Sequence, residues 1–345
     1  MPNKARRISR PLLRMDGGFR SQEDLDAIRN NLSGIVLDGE HLWLGGDEGT
    51  ALHRLTRDAG GNFGEHKPFD VGSLLDLPDQ SAKQSEIDIE GLALDDEYVW
   101  LVGSHSLKRE KVNDKLTAAE NRKRLATTRI DANRHTLARV PLNDRREPVR
   151  AAGSRTAARL KGDETGDLLT RALADDAHVG PFCSIPSKDN GLDIEGLAVR
   201  GDRVFLGLRG PVLRGWAIVL ELSMVDGKPG VLKLAKPLRK HFLDLGGLGI
   251  RDLAIREKDL FILAGPTMVL DGPVFIYQWR NALDVAGEAV VRLGSDWAIP
   301  FGTGTDHAEG MTFVGASTVM VCYDSPAKER LAGKDGVHAD VFALE

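Results

Sequence analysis

Cysteine is nearly missing from this chain of 345 residues. It has only Cys183 and Cys322, too few for a disulfide framework and without any CxxC or Cys/His spacing, so a reducing compartment is expected. Aromatic residues are scarce too, with 3 Tyr, 5 Trp and 11 Phe. No apolar stretch approaches the ~18–20 residues that span a bilayer, and no membrane partner is expected. The opening residues Met1 to Arg7 carry charge with no apolar run behind them; this predicts no secretory signal and a cytoplasmic location. Positive charge is not in excess either. A net charge of −5 argues against a chain built mainly to bind nucleic acid. With no P-loop and no GxSxG elbow, serine-based acyl transfer has no support.

What is present is a soluble-protein composition, 41% hydrophobic and 28% charged, with 38 glycines. That is about 11% glycine against a typical 7%, as many tight turns between short strands would require. A repeat organises the chain. Ile89-Glu-Gly-Leu-Ala-Leu94 is followed by Val99-Trp-Leu-Val-Gly103, and Ile194-Glu-Gly-Leu-Ala-Val199 by Val204-Phe-Leu-Gly-Leu208. Related pairs of runs begin at Leu32, Ile250 and Ala308. Aligned, the five segments put Ser33, Glu90, Glu195, Arg251 and Glu309 at one position, spaced by 57, 105, 56 and 58 residues. Ten residues on stand Trp43, Trp100, Phe205, Phe261 and Val319, all apolar.

Each pair of runs joined by a turn such as Asp38-Gly-Glu40 reads as a β-hairpin. Two further strands usually follow, for example Trp216–Leu222 and Val274–Trp279. Four strands repeated every ~40–58 residues predict an all-β chain, a single β-propeller over residues 1–345. Five blades are expected, with six as the alternative. The 105-residue gap is read as insertions in the second blade, with residues 107–126 and 155–178 as charged, helical excursions. The run Ile8–Arg14 would supply the last blade's fourth strand and close the ring.

At a propeller's channel, equivalent inner-strand positions form a ring. Glu90, Glu195 and Glu309 would point there with Arg251 and Ser33, and residues two earlier, Asp88, Asp193 and His307, share the face. Carboxylates so crowded repel, and a hard divalent cation, Ca²⁺ or Mg²⁺, would relieve them. The competing reading makes each Glu a structural acceptor for a neighbouring blade. The ends of the second strands add Asp47, Glu48, Ser104, His105, Arg209, Tyr323 and Asp324 to the same rim. Arg209 and Arg251 would clamp a phosphate or carboxylate, or else neutralise the glutamates. His105 would serve as acid or base, or simply as polar surface. Between Lys108 and Arg150, 13 Lys/Arg face 6 Asp/Glu, a local excess that suits a polyanion or a solvated insertion.

With Ile87-Asp-Ile-Glu-Gly-Leu-Ala93, Asp189-Asn-Gly-Leu-Asp-Ile-Glu-Gly-Leu-Ala198 and Gly207-Leu-Arg-Gly-Pro-Val-Leu-Arg-Gly215 in view, the chain resembles a bacterial family catalogued as a domain of unknown function, number 3616. The resemblance runs over about residues 25 to 345. The Asp-x-Glu-Gly-Leu phrase is also similar to that of phytase-like and esterase-like propellers; such a resemblance implies a fold and leaves the activity to the site. The functional expectation is a divalent-cation-dependent phosphoester or ester hydrolase. A Ca²⁺ held by Glu90, Glu195, Glu309, Asp88 and Asp193 would act on a small anionic substrate, phosphorylated or a sugar acid, with His105, Arg209 and Arg251 doing the chemistry. The alternative is a non-catalytic propeller that binds a protein or polyanionic partner through the basic insertion.

Overall fold

In the computed structural model, which describes residues 3–19, 21–80, 86–294 and 296–344, each repeated segment runs outward from a common centre as an antiparallel meander. The first consists of Leu32–Asp38, His41–Gly46, Ala51–Arg57 and Phe63–Asp70. The second has Ile89–Asp95, Tyr98–Gly103, Leu137–Pro141 and Ala158–Leu160. In the third, Asp193–Arg200, Arg203–Gly210, Trp216–Asp226 and Arg239–Asp244 pair in turn. Gly249–Arg256, Asp259–Gly265, Val274–Trp279 and Trp297–Ile299 make the fourth. The fifth begins with His307–Phe313, Thr318–Asp324 and Asp340–Ala343.

The first strands of these segments touch one another in a closed cycle, the fifth meeting the first again. This radial arrangement is a β-propeller. Buried side chains lie in five layers between neighbouring segments, so each sheet is covered on both faces. That is why the strands read as near-continuous apolar runs rather than alternating ones. Trp43, Trp100, Phe205, Phe261 and Val319, at one position of the repeat, are all buried in these layers. Each large side chain so covered contributes roughly 1.5–3 kcal/mol of transfer free energy.

The N-terminal run differs from the single strand expected of Ile8–Arg14. Pro11 divides it, since proline supplies no N–H for a continuous ladder. Arg6–Ser9 pairs antiparallel with Asp340–Ala343 and completes the fifth segment, whereas Leu12–Arg14 lies beside Gly336–His338 and Phe63. The second segment also differs. Its fourth strand, Ala158–Leu160, comes from within residues 155–178, which were read as a helical insertion, and the helix there is only Leu168–Ala174. Within 107–126 the helix is Ala118–Ala126, standing above a two-strand hairpin of Lys108–Arg109 and Thr128–Arg129. A third helix, Gln22–Asn30, is capped by Ser21, whose side chain accepts from the Asp24 N–H. Among the described residues, no helix is long and apolar enough to cross a membrane.

Candidate functional site

Antiparallel register brings the starts of the inner strands and the ends of the second strands to one end of the ring: Ile89 faces Gly103, Asp193 faces Gly210, and His307 faces Asp324. In every segment the ladder skips the ring position. The break falls on Glu90 between Ile89 and Gly91, on Glu195, Arg251 and Glu309 in the same way, and on Ser33 with Gly34. A bulge of this kind bends the strand and re-aims the side chain of the unpaired residue. The residue after it explains the Glu-Gly-Leu phrase. A Cβ on Gly91 would lie 2.9 Å from the Glu195 carbonyl oxygen, and one on Gly310 would lie 2.5 Å from that of Ser33. Neighbouring inner strands approach too closely for any side chain there. In the fourth segment Asp252 takes this place. It is buried, accepts from the Met311 N–H at 2.6 Å, and burial pushes its carboxyl well above the usual range.

These strand ends enclose a cavity of about 650 Å³. Asp88, Glu90, Asp193, Arg209, Arg251 and Glu309 all line it, so the repeat alignment brings together six of the eight residues expected to form the site. Glu195 and His105 do not line it.

One side of the wall is a continuous chain of ion pairs. Arg209 bonds Asp193 through one nitrogen and Glu195 Oε1 through the other at 2.5 Å. Arg251 Nη1 then reaches Glu195 Oε2 at 3.2 Å and Glu309 Oε1 at 2.6 Å, while its Nη2 donates to the Pro266 carbonyl at 2.8 Å. Arg209 is 2% exposed and Glu195 2%. Burial lowers the Arg209 pKa, but Asp193 and Glu195 outweigh it and hold the guanidinium charged far above its ordinary range. The two arginines are therefore consumed by carboxylates, and Glu195 sits behind them. This corrects both the expectation of a free anion clamp and that of Glu195 as a metal ligand.

The other side is different. Asp47, Asp88 and Glu90 each place a carboxylate oxygen within 4.8 Å of the others. Arg134 Nη2 bonds Asp88 at 2.5 Å and, through Nη1, reaches the Ser104 and Ser106 hydroxyls at 3.2 and 3.1 Å. The Ser33 hydroxyl donates to Asp47 at 2.8 Å. Glu90 has no hydrogen-bond or ion-pair partner among the described residues. Burial, then Asp47 and Asp88, raise its carboxyl well above the usual range. Burial likewise takes Asp88 up to about 7 against the pull of Arg134.

His105 corrects a further expectation. It is 2% exposed, faces away from the cavity, and uses both ring nitrogens: Nδ1 on the Gly103 carbonyl at 2.8 Å and Nε2 on Asp167 at 3.0 Å. Burial lowers its pKa, but Asp167 more than compensates, so the ring is held protonated more firmly than a free histidine. It anchors the backbone that carries Ser104 and Ser106 and is not a rim acid or base. The histidine that does line the cavity is His307, between Asp271 at 3.2 Å and Asp324 at 3.8 Å. The bond to Asp324 raises its pKa against partial burial. Lys188, exposed at the mouth, is close enough to draw down the carboxyls of Asp47, Asp193 and Glu309.

Sequence reasoning placed Asp47 and His307 on this rim without giving them a role, and it missed Arg134. The only signal for Arg134 is its place in the basic stretch 108–150, whose later members are ion-paired, as with Arg146 and Asp38 at 2.6 Å.

The family model described as "Protein of unknown function (DUF3616)" matches residues 31–340. No curated protein matches the chain. Among solved structures, the chain is similar to a glutaminyl cyclase of Myxococcus xanthus at 9% identity and TM-score 0.45, covering all of both chains. A PQQ-bound aldose sugar dehydrogenase from Streptomyces coelicolor has 12% identity and TM-score 0.40, with 99% of each chain covered. The β-propeller domain of Cps50 (Swd1) from Myceliophteria thermophila has 9% identity and TM-score 0.32, with 91% of this chain and 99% of that one covered. At such identities and scores no reaction carries over to this chain.

Proposed function

The chain belongs to this family of proteins of unknown function (DUF3616), and from its geometry we propose a single five-bladed propeller whose cavity holds a divalent cation and hydrolyses a small anionic substrate there. The observation that carries the reading is the trio Asp47, Asp88 and Glu90, whose ligand oxygens lie within 4.8 Å of one another and of which only Asp88 pairs with a guanidinium, that of Arg134. Three carboxylates with one guanidinium leave uncompensated negative charge, which hard oxygen-seeking Ca²⁺ or Mg²⁺ would balance. Glu195, Glu309 and Asp193, first expected among the ligands, are left to the arginine network.

A cation bound there would polarise a phosphoryl or carboxyl oxygen and lower the pKa of a bound water. The chain's own groups supply the rest. Lys188 at the mouth attracts the substrate anion. His307, held by Asp271 and Asp324, is a group on the wall outside the carboxylate trio able to move a proton. His105 does not take part.

The test is thermal melting with and without Ca²⁺ or Mg²⁺, on wild type and Glu90→Gln. Wild type should gain stability with added cation, by RT ln(1 + [L]/Kd), and Glu90→Gln should lose that response. A phosphatase, esterase and lactonase panel on the cation-loaded protein should then show activity that His307→Gln lowers. A wild type indifferent to both cations, by melting and by metal analysis, sinks the reading.

A further inference from the structure

Ten large hydrophobic side chains are markedly exposed among the described residues, and their distribution is uneven. Seven stand on three excursions that leave the ring at the end where the cavity opens: Val112, Leu125 and Ile130 on the insertion after Gly103, Met268, Val269 and Leu270 after Gly265, and Phe301 just before His307. Val269 is 77% exposed, Leu270 60% and Ile130 60%. Clustered exposure of this kind marks a surface that meets something.

The same end carries concentrated positive charge. Residues 108–130 have 8 Lys/Arg and 3 Asp/Glu in a chain of net charge −5. Some of these cations are paired, Arg109 with Asp189 and Arg124 with Glu110. Lys111, Lys115, Arg122 and Lys123 have no carboxylate partner among the described residues. Each exposed aliphatic residue of the insertion directly follows a cation: Lys111-Val112, Arg124-Leu125 and Arg129-Ile130. The helix Ala118–Ala126 buries none of its residues. It is held instead by a capping box, the Thr117 side chain accepting from the Glu120 N–H and Glu120 accepting from Thr117.

We propose that this rim docks on an anionic lipid surface, with the aliphatic side chains below the headgroups and the cations at the phosphates. Only such a surface uses both features. Polyanion binding by charge alone would leave the exposure of Val269 and Leu270, which also edge the cavity, unexplained, since residues 266–273 contain no cation. Stacking on bases would need aromatic residues, and 107–130 has none. A protein partner is better met by one continuous apolar patch than by aliphatic residues each set beside a cation, as at Lys111-Val112, Arg124-Leu125 and Arg129-Ile130. Lysine and arginine beside aliphatic residues is the pattern of interfacial binding. This departs from the sequence expectation of no membrane partner, which rested on the lack of a spanning segment; docking requires none. This inference does not rest on the cation site.

The test is co-sedimentation of the full chain with phosphatidylcholine vesicles, with and without phosphatidylglycerol. Binding is expected only to the anionic vesicles and should weaken with salt. The double variant Val269→Asp/Leu270→Asp and the triple variant Lys111→Glu/Arg122→Glu/Lys123→Glu should each lose about tenfold in affinity. Both should melt like wild type, because these side chains are exposed. No binding to anionic vesicles would overturn the proposal. So would binding that the Val269/Leu270 variant leaves unchanged and heparin competes away, which assigns the rim to a polyanion. Self-association without vesicles that this variant abolishes assigns it to a second copy and also overturns it.

Discussion

On the side of the cavity built by the third, fourth and fifth segments, three carboxylates share two guanidiniums. On the side built by the first and second, three carboxylates share one. The ring position, the residue two before it and the second-strand end recur on both sides, so the difference lies in which of them holds an arginine, with Arg134 coming from outside the repeat. Arginine stands at the ring position of the fourth segment and at the second-strand end of the third, as Arg251 and Arg209. The matching places in the first two segments hold Ser33 and Glu90, and Asp47 and Ser104, none of which is a cation. A buried network in which every charge has a partner is a fixture, because removing one member leaves the others uncompensated. A cluster with unmatched charge stores repulsion that only a ligand or a proton removes.

The comparison breaks most visibly at Arg209. Arg209→Met should strand Asp193 and leave Glu195 with Arg251 alone, both carboxylates being about 2% exposed, at a loss on the order of 3–5 kcal/mol in urea denaturation. A loss under about 1 kcal/mol would mean that this side is not a continuous network. The opposite sign is expected across the cavity. Without cation at pH 7, Glu90→Gln should stabilise the fold by about 1 kcal/mol, because it deletes a charge that burial and two neighbouring carboxylates oppose. Destabilisation of cation-free protein by this change would show that Glu90 has a partner and that the two sides are alike.

The effect farthest from the comparison concerns a pair outside the cavity whose acid response overlaps any titration of the two sides. His53 Nδ1 and His66 Nε2 lie 2.8 Å apart, and His66 Nδ1 bonds the Gly17 carbonyl. Burial, then the nearby His66, lowers His53 to about 3. A base whose folded pKa is depressed contributes stability that is full above its unfolded value near 6.5 and is lost as pH falls toward about 3. His53→Asn, with an amide able to replace the donated bond, should flatten the fall in Tm between pH 6.5 and 4. The effect is at most about 1.4 kcal/mol per pH unit. An unchanged slope would place the acid sensitivity elsewhere.

The ring was readable because one short phrase recurs at 56–58 residues in three of its four intervals, and the ladder steps over its second residue in every segment. Pairing across the ring was not. Whether Glu195 meets a metal or Arg251 depends on a guanidinium 56 residues away. Arg134 lies outside the aligned hairpins and meets Asp88 only because the third strand of its own segment is reached past the insertion. His105 occupies a rim position in the alignment, yet its positive φ of 54° and the Asp167 carboxylate 62 residues on turn the ring into the core. A periodic pattern fixes where a residue starts from; burial and long-range partners decide which way its side chain goes.

The bulge at the ring position has a consequence for how such a channel can change. Because the ladder steps over that residue in every segment, no strand pairing depends on what it is, and serine, arginine and glutamate occupy it on closely similar backbones. The channel thus behaves like a set of sockets around a fixed frame. Exchanging one plug redraws the electrical map of the cavity without breaking a strand pairing, provided the charges that the old plug held, as Arg251 holds Glu195 and Glu309, find new partners.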